Sequence, residues 1–204
     1  MNYNLKEVFL LKDVVVTYIK KPYNLEINPG EKVLIIGENG SGKTTLIYLL
    51  IGFIKPKSGI FKKTNKPISY LAEKADLPRN LKAGEYLEII AKTKKGYVNK
   101  KYIDFLELPL DTEIKNLSKG NKQKLAFLAA LIGDSEVLIL DEPLSGFDPE
   151  KKQKIVEILK QETKDKTVLI ISHSPEVFSG FVTRKITLCW TIFLKLILTE
   201  KQRF

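Results

Sequence analysis

Cysteine, histidine and long apolar runs are all scarce in this sequence of 204 residues. The single cysteine, Cys189, excludes an internal disulfide framework and a cysteine-based metal cluster, and it is typical of a reducing cytosol. No stretch reaches the roughly 18 consecutive apolar residues that a transmembrane helix needs. The nearest candidate, residues 186–198, is shorter and contains Lys195. Residues 1–7 lack the apolar core of a signal peptide, so we expect neither a membrane span nor a secretory leader.

Acidic residues are outnumbered, with 24 Asp and Glu against 34 Lys and Arg, which gives a formal net charge of +10. Such a balance is compatible with nucleic acid, an anionic membrane surface or an ordinary solvated surface. The lysines are scattered along the chain, and the sequence contains no arginine-rich block. We therefore expect a protein that works near acidic lipid headgroups and has no nucleic-acid partner. The length fits one α/β domain that carries a small subdomain.

A glycine-rich segment, Gly37 to Thr45, is the strongest motif in the chain. It reads Gly-Glu-Asn-Gly-Ser-Gly-Lys-Thr-Thr, follows four apolar residues at 33–36 and precedes the apolar run 46–50. This is the P-loop pattern G-x-x-x-x-G-K-[ST] between a buried strand and a helix. The glycines let successive N–H groups point into one concavity that fits phosphate oxygens, and the helix start adds its positive dipole end. The segment predicts a nucleoside triphosphate site.

Individual roles within the loop follow from the same chemistry. We expect Lys43 to reach the β- and γ-phosphates and Thr44 to offer its hydroxyl to Mg²⁺. The predicted nucleotide-binding residues of the loop are Gly37, Asn39, Gly40, Ser41, Gly42, Lys43, Thr44 and Thr45.

Carboxylates follow a second buried strand. The apolar run 137–140 is typical of a parallel strand covered on both faces, and it ends in Asp141 and Glu142. Side chains just past the carboxyl end of such a strand lie at the ligand edge of the sheet. Asp141 is the type of residue that holds the magnesium of a P-loop, directly or through water. Glu142 could accept a proton from an attacking water or orient it.

The roles of a histidine and a tyrosine are less specific. His173, the only histidine, ends the apolar strand 167–172; it could bond a γ-phosphate or be an ordinary loop histidine. Tyr18 could stack on a purine base or pack at the edge of a sheet. For both residues the two interpretations stay open at this point.

Alternating patterns of strands and helices predict the architecture. Three short strands are expected within residues 7–36, a helix from the P-loop to about Phe53, and strands near 57–61 and 68–71. Helical periodicity appears at 83–92 and 98–106, in a lysine-rich stretch that interrupts the α/β pattern. Further helices are expected after the N-cap residue Ser118 and after Asp148 with its following proline. A mainly parallel sheet follows from this alternation.

Taken in order, the motifs resemble those of the ATP-binding cassette (ABC) ATPase family. The P-loop is followed by Leu-Ser-Lys-Gly-Asn at 117–121, by Leu-Ile-Leu-Asp-Glu-Pro at 138–143, by Ser-Gly-Phe-Asp at 145–148, and by His173. The resemblance covers residues 5–188. The segment 117–121, here called the signature segment, separates this family from other P-loop proteins.

The resemblance implies an α/β P-loop NTPase fold with a mainly parallel sheet, an N-terminal antiparallel β-subdomain and a small helical subdomain at about 73–132. The ATPase domain would be residues 1–188. Residues 189–204 would be a C-terminal tail in place of the family's usual Asp-Gly hairpin. An extra strand, a contact surface for a permease and a degenerate terminus are all open for this tail.

The resemblance also assigns roles at the triphosphate. Ser118 and Gly120 would contact the γ-phosphate that a partner chain's P-loop holds, so that two ATP molecules lie between two domains. Glu142 would be the catalytic carboxylate and His173 the γ-phosphate switch. Tyr18 would stack on adenine.

Magnesium would be held by Thr44, Asp141 and Glu73, and Asp148 would end the loop that links the two nucleotide sites. Glu73 stands where the family usually has glutamine, and a glutamate can still coordinate Mg²⁺ or its water. In the signature segment, Lys119 and Asn121 replace the commoner glycine and glutamine.

The function implied is that of the ATP-binding and ATP-hydrolysing subunit of an ABC membrane transporter, of the exporter type. Its partners would be a second ATPase domain, identical or different, and separate permease subunits. It would lie in the cytoplasm against the cell membrane. The alternative is a soluble ABC ATPase without a transport role, for example in iron–sulfur cluster assembly. A nucleotide kinase would share the P-loop but leave residues 117–121 unexplained, and the transported substrate cannot be read from this chain.

Overall fold

The computed structural model describes residues 7–17 and 19–188. Its strands are β1 (Phe9–Val16), β2 (Ile19–Ile27), β3 (Lys32–Gly37), β4 (Ser58–Lys63), β5 (Ile68–Leu71), β6 (Val137–Asp141), β7 (Thr167–Ile171) and β8 (Arg184–Leu188). Its α-helices are α1 (Lys43–Ile51), α2 (Ala83–Thr93), α3 (Lys100–Leu106), α4 (Lys119–Leu131) and α5 (Pro149–Glu162). Two short 3₁₀ turns lie at Ile114–Asn116 and Pro175–Phe178.

The strands form two sheets. A three-stranded sheet has the order β2-β1-β4, and β1 is antiparallel to both neighbours, with Phe9 opposite Ile27 on one side and Lys63 on the other. A five-stranded sheet has the order β5-β6-β7-β3-β8, and every adjacent pair is parallel. The predicted α/β fold, with a mainly parallel sheet and an N-terminal antiparallel sheet, is confirmed.

The parallel sheet separates two hydrophobic clusters because alternate side chains of a strand point to opposite faces. On β3, Val33 and Ile35 join the cluster that contains α1 and the antiparallel sheet, while Leu34 joins the cluster of α2, α4 and α5. Residues of β6 and β7 divide between the clusters in the same alternating way. Burial on both faces explains why 137–140 is wholly apolar.

The register of the parallel strands places the site. Ile171 at the end of β7 is paired with Ile35 of β3 on one side and with Asp141 of β6 on the other. The P-loop after β3, the carboxylates at the end of β6 and the loop after β7 therefore leave the sheet at one edge. This is the edge at which open α/β sheets bind ligands.

Capping residues set the helix starts. Asn99 accepts a hydrogen bond from the Lys101 N–H, so α3 begins at Lys100 and not at the predicted 98. Ser118 accepts one from the Asn121 N–H at 3.1 Å, which confirms it as the N-cap residue of α4. Helices α2 and α4 share one core with the parallel sheet, and the boundaries of the helical subdomain stay a prediction.

The structure differs from the sequence predictions at one strand, and other predictions fall on residues that it does not describe. The edge strand β8 was not predicted from the sequence. Tyr18 and the tail 189–204 lie outside the described residues, so their predicted roles remain predictions. In the two ranges that the structure describes, no helix is long and apolar enough to cross a bilayer.

Candidate nucleotide-binding site

Glycines shape the loop between β3 and α1. Gly40 and Gly42 have φ of 80° and 89°, in the left-handed region that favours glycine. Gly42 is the N-cap residue of α1, without a side-chain hydrogen bond to the helix start. The free N–H groups of the first helical turn thus open toward the loop. Gly37 lies too close to its neighbours for a side chain, since a Cβ there would be 2.5 Å from both the Leu188 carbonyl oxygen and Ser41 Oγ.

Lys43 spans the loop from the first turn of α1. Its Nζ donates to the carbonyl oxygens of Gly37 at 2.7 Å and Glu38 at 2.9 Å. The ammonium group therefore lies across the concavity that the glycines form. This is the position from which a lysine can meet phosphate oxygens.

A tyrosine supports the loop from below. Tyr23 of β2 is 4% exposed, and its hydroxyl donates to the Gly42 carbonyl oxygen at 2.9 Å. Burial raises the pKa of Tyr23, so the phenol keeps its proton and remains a donor. No local sequence pattern indicates this contact, because Tyr23 and Gly42 are 19 positions apart.

A cavity of about 310 Å³ opens above the loop. It is lined by Ile19, Asn39, Gly40, Gly42, Lys43, Thr44, Thr45, Glu73, Asp141, Glu142, Ile171 and His173. Most of the residues predicted from the sequence are thus brought together. Gly37 and the buried Ser41 shape the loop and do not line the cavity.

The carboxylates of the cavity repel one another. Asp141 is 5% exposed. Its burial, together with the negative charges of Glu73 and Glu142, raises the pKa of Asp141 to about 6. The positive charge of Lys43 and the neighbouring His173 act in the opposite direction and lower this pKa. An additional positive charge between these carboxylates would relieve the repulsion.

Mg²⁺ fits this donor set. The Thr44 hydroxyl and the carboxylates of Asp141 and Glu73 line one cavity, and Mg²⁺ prefers such oxygen ligands together with phosphate oxygens. Among residues 7–17 and 19–188, no group of three His, Cys, Asp or Glu side chains could hold a metal alone. The arrangement therefore suits a cation that the nucleotide helps to bind.

Glu142 is held at the back of the cavity in an unusual backbone conformation, with φ of 50°. Its N–H donates to the Ile171 carbonyl oxygen at 2.9 Å, which ties it to the end of β7. The Ser172 hydroxyl lies 3.5 Å from Oε2, and His173 Nε2 lies 3.7 Å from Oε1. Burial raises the pKa of Glu142, and the neighbouring His173 and Ser172 partly offset this. A glutamate placed in this way can accept a proton.

The signature segment does not line the cavity. Ser118 is exposed, and a Cβ on Gly120 would lie 3.1 Å from the carbonyl oxygen of Gly146. The start of α4 therefore packs on the turn that follows Glu142, and Ser118 is not among the residues that line the cavity at the P-loop of its own chain. Asp148 begins α5 as an exposed N-cap residue.

A P-loop joined to a carboxylate pair at the end of a nearby parallel strand defines a P-loop nucleoside triphosphatase. A family model described as ABC transporter matches residues 20–145. The chain therefore belongs to the ABC family of ATPases, as the order of its motifs predicted.

Relatives agree with this assignment. The chain is 32% identical to an uncharacterized ABC transporter ATP-binding protein of Methanocaldococcus jannaschii, over 81% of this chain and 66% of that protein. It is 31% identical to a thiamine import ATP-binding protein of Haemophilus influenzae, over 78% and 84% of the two chains. It is also 33% identical to a ribosome protection protein of Bacillus subtilis, over 75% of this chain but 28% of that protein. The chain thus spans less than two thirds of the first and third of these relatives.

A solved structure supports the same conclusion. The dimeric structure of a post-hydrolysis state of an ATP-binding cassette bound to ADP and phosphate superposes with a TM-score of 0.76 at 25% identity. The match covers 88% of this chain and 94% of that chain.

Proposed function

We propose that this chain is the ATP-binding and ATP-hydrolysing subunit of a membrane transporter. The observation that carries the proposal is the convergence of Lys43, Asp141, Glu142 and His173 on one cavity at the carboxyl edge of the parallel sheet. Membership of the ABC family points to a transporter subunit. The cavity holds the groups that phosphoryl transfer needs.

In this proposal ATP lies with its phosphates on the P-loop. The loop N–H groups and Lys43 bind the β- and γ-phosphates, and Tyr18 stacks on adenine. Thr44, Asp141 and Glu73 would hold Mg²⁺, which when bound neutralises charge on the phosphates. These residues account for binding and orientation before any bond is broken.

Hydrolysis then needs an attacking water and a proton acceptor. The oxygen of that water forms a bond to the γ-phosphorus while the bond to the β–γ bridging oxygen breaks and ADP leaves. Glu142 accepts the proton of the water, and His173 donates a hydrogen bond to the γ-phosphate. The 3.7 Å approach of His173 to Glu142 supports a role for both groups at the same reacting centre.

A second chain would complete the site. Ser118 and Gly120 lie outside the cavity of their own chain, which supports their use on the γ-phosphate bound by a partner. The dimeric cassette with ADP and phosphate supports the same arrangement. The partner domain would be a second copy or a related ATPase. ATP binding would close the dimer and hydrolysis would reopen it.

The remaining partners would be permease subunits at the cytoplasmic face of the cell membrane, moved by closure of the dimer. Support comes from the thiamine import relative, which this chain matches over 84% of that protein's length. The basic net charge of +10 also suits an acidic membrane surface.

Glu142→Gln tests the catalytic assignment. We expect ATP turnover to fall by about 100-fold or more, while the variant accumulates as an ATP-bound dimer in size-exclusion chromatography. Unchanged turnover, or a monomer at saturating ATP, would contradict the proposal.

Copurification tests the transport role. An affinity-tagged chain expressed in its native host and solubilised in mild detergent should be recovered with a polytopic membrane protein. Recovery with soluble assembly factors instead would favour the non-transport alternative.

A further inference from the structure

The Glu142 carboxylate has two neighbours in the loop after β7, and they differ in exposure. His173 has a side chain that is 62% exposed, so it can turn toward solvent or ligand. Ser172 is 6% exposed and has one small hydroxyl group, which leaves it little freedom. A fixed buried donor beside a catalytic carboxylate is suited to orienting it.

The hydrogen bonds of Ser172 direct its proton. Its Oγ accepts a hydrogen bond from the Ser174 N–H at 3.1 Å, which occupies one lone pair and fixes the position of the oxygen. The hydroxyl proton remains available for donation, and Glu142 Oε2 lies 3.5 Å from Oγ. This distance is long, but catalytic hydrogen bonds often shorten when substrate binds.

The two oxygens of Glu142 are therefore not equivalent. Oε2 has the Ser172 hydroxyl, whereas the buried Oε1 makes no hydrogen bond within the described residues and faces His173. A carboxylate anchored through one oxygen presents the other in a defined direction. The contact with Ser172 therefore sets the orientation of the whole carboxylate group.

We infer that Ser172 is a positioning residue that anchors Oε2 of Glu142 and so fixes the orientation in which the carboxylate meets the attacking water. This inference rests on the proposed catalytic role of Glu142. It adds a residue that neither the sequence motifs nor the resemblance pointed to. Loss of a supporting hydrogen bond of this kind costs about tenfold in activity, as in other sites where an outer residue orients a reacting group.

The test compares steady-state ATP hydrolysis of Ser172→Ala and Ser172→Thr with the unmodified chain. We expect Ser172→Ala to lower kcat about tenfold and to leave KM for ATP within about twofold. Threonine keeps the hydroxyl and should restore kcat to within about twofold of the unmodified chain. Ser135→Ala is the matched control because Ser135 is also buried, at 7% exposure, and lies at the opposite end of β6.

A second measurement separates positioning from a structural effect. Ser172→Ala is combined with Glu142→Gln, and residual turnover and ATP-dependent dimer formation are measured for the single and double variants. If Ser172 acts through Glu142, adding Ser172→Ala to Glu142→Gln changes neither quantity, since the carboxylate is already absent.

Three results would overturn the inference: a kcat for Ser172→Ala within about twofold of the unmodified chain, no recovery with threonine, or a further tenfold loss in the Glu142→Gln background. If the proposed function itself is wrong, Glu142→Gln will leave ATP turnover unchanged, whatever the Ser172 variants do.

Discussion

Gly120 at the start of α4 and Gly146 in the turn after Glu142 pack backbone against backbone. A Cβ on Gly120 would lie 3.1 Å from the Gly146 carbonyl oxygen, and a Cβ on Gly146 would lie 3.2 Å from Gly120 Cα. Contacts this short require a neighbour to move. The signature segment and the turn after Glu142 are thereby fixed relative to each other. In the proposed dimer the signature segment serves the partner's nucleotide and Glu142 serves the nucleotide of its own chain, so this contact would physically link the two nucleotide sites.

Gly146→Ala should destabilise the protein by about 2 kcal/mol, half from backbone strain and half from this contact. Gly146 has φ of 80°, a conformation that alanine rarely adopts. Gly30→Ala is the matched control, because Gly30 has φ of 79° with nothing within 4 Å of its Cβ position. The measurement is chemical unfolding of both variants. Equal losses would show that the contact with Gly120 contributes nothing.

Tyr23→Phe tests the support of the P-loop. The substitution removes the hydroxyl that donates to Gly42, so we expect a stability loss of about 1 kcal/mol and ATP binding about fivefold weaker. Calorimetric titration with ATP and thermal unfolding provide the two readouts. Tyr102→Phe is the control, because it removes a hydrogen bond to Glu162 that lies away from the nucleotide cavity.

In that control, stability should fall while ATP affinity stays the same. If Tyr23→Phe behaves like Tyr102→Phe, with no change in ATP affinity, Tyr23 supports the fold and not the nucleotide site.

Sequence patterns predicted the elements that depend on local chemistry. The P-loop, the N-cap at Ser118, and the apolar strand ending in Asp141 each carry their signal within a few neighbouring residues. The parallel arrangement followed from the alternation of strands and helices. The position of Asp141 and Glu142 at the P-loop edge of the sheet followed from that arrangement, whereas the role of His173 at the phosphates was implied only by the resemblance.

Features that depend on distant partners were missed. Strand β8 reads Arg-Lys-Ile-Thr-Leu, a weak pattern, and it is held by parallel pairing with β3 about 150 positions earlier, for example Val33 with Arg184. The contact of Tyr23 with Gly42 and that of Ser172 with Glu142 also join separate elements. No local pattern predicts such contacts, since they arise only when the strands are placed side by side.

The raised pKa of Asp141 predicts a pH effect on the nucleotide-free and metal-free protein. The pKa of Asp141 rises from 3.8 to about 6 on folding, so the folded state holds this proton more tightly than the unfolded state. The free energy of unfolding should therefore decrease as pH rises from about 4 to about 6, by up to about 3 kcal/mol from this group, and stay level above.

Asp141→Asn removes that titration. The variant should be more stable than the unmodified chain at pH 7, and the difference between them should shrink as pH falls from about 6 to about 4. Urea unfolding across this pH range, with a chelator present, measures it. A difference that is constant with pH would contradict the assignment of the titration to Asp141.

Mixing two inactive variants tests whether nucleotide sites are shared between chains. Lys43→Met should abolish ATP binding at its own P-loop but leave its Ser118 intact, whereas Ser118→Arg should do the reverse. A mixed dimer then contains one composite site with both halves unmodified. If sites act independently and chains pair at random, an equimolar mixture should recover about a quarter of the unmodified turnover, because half the dimers are mixed and each has one working site.

Lys43→Met mixed with a chain that carries both substitutions is the control and should recover nothing. Turnover in the first mixture that equals the sum of the separate variants would contradict the shared site.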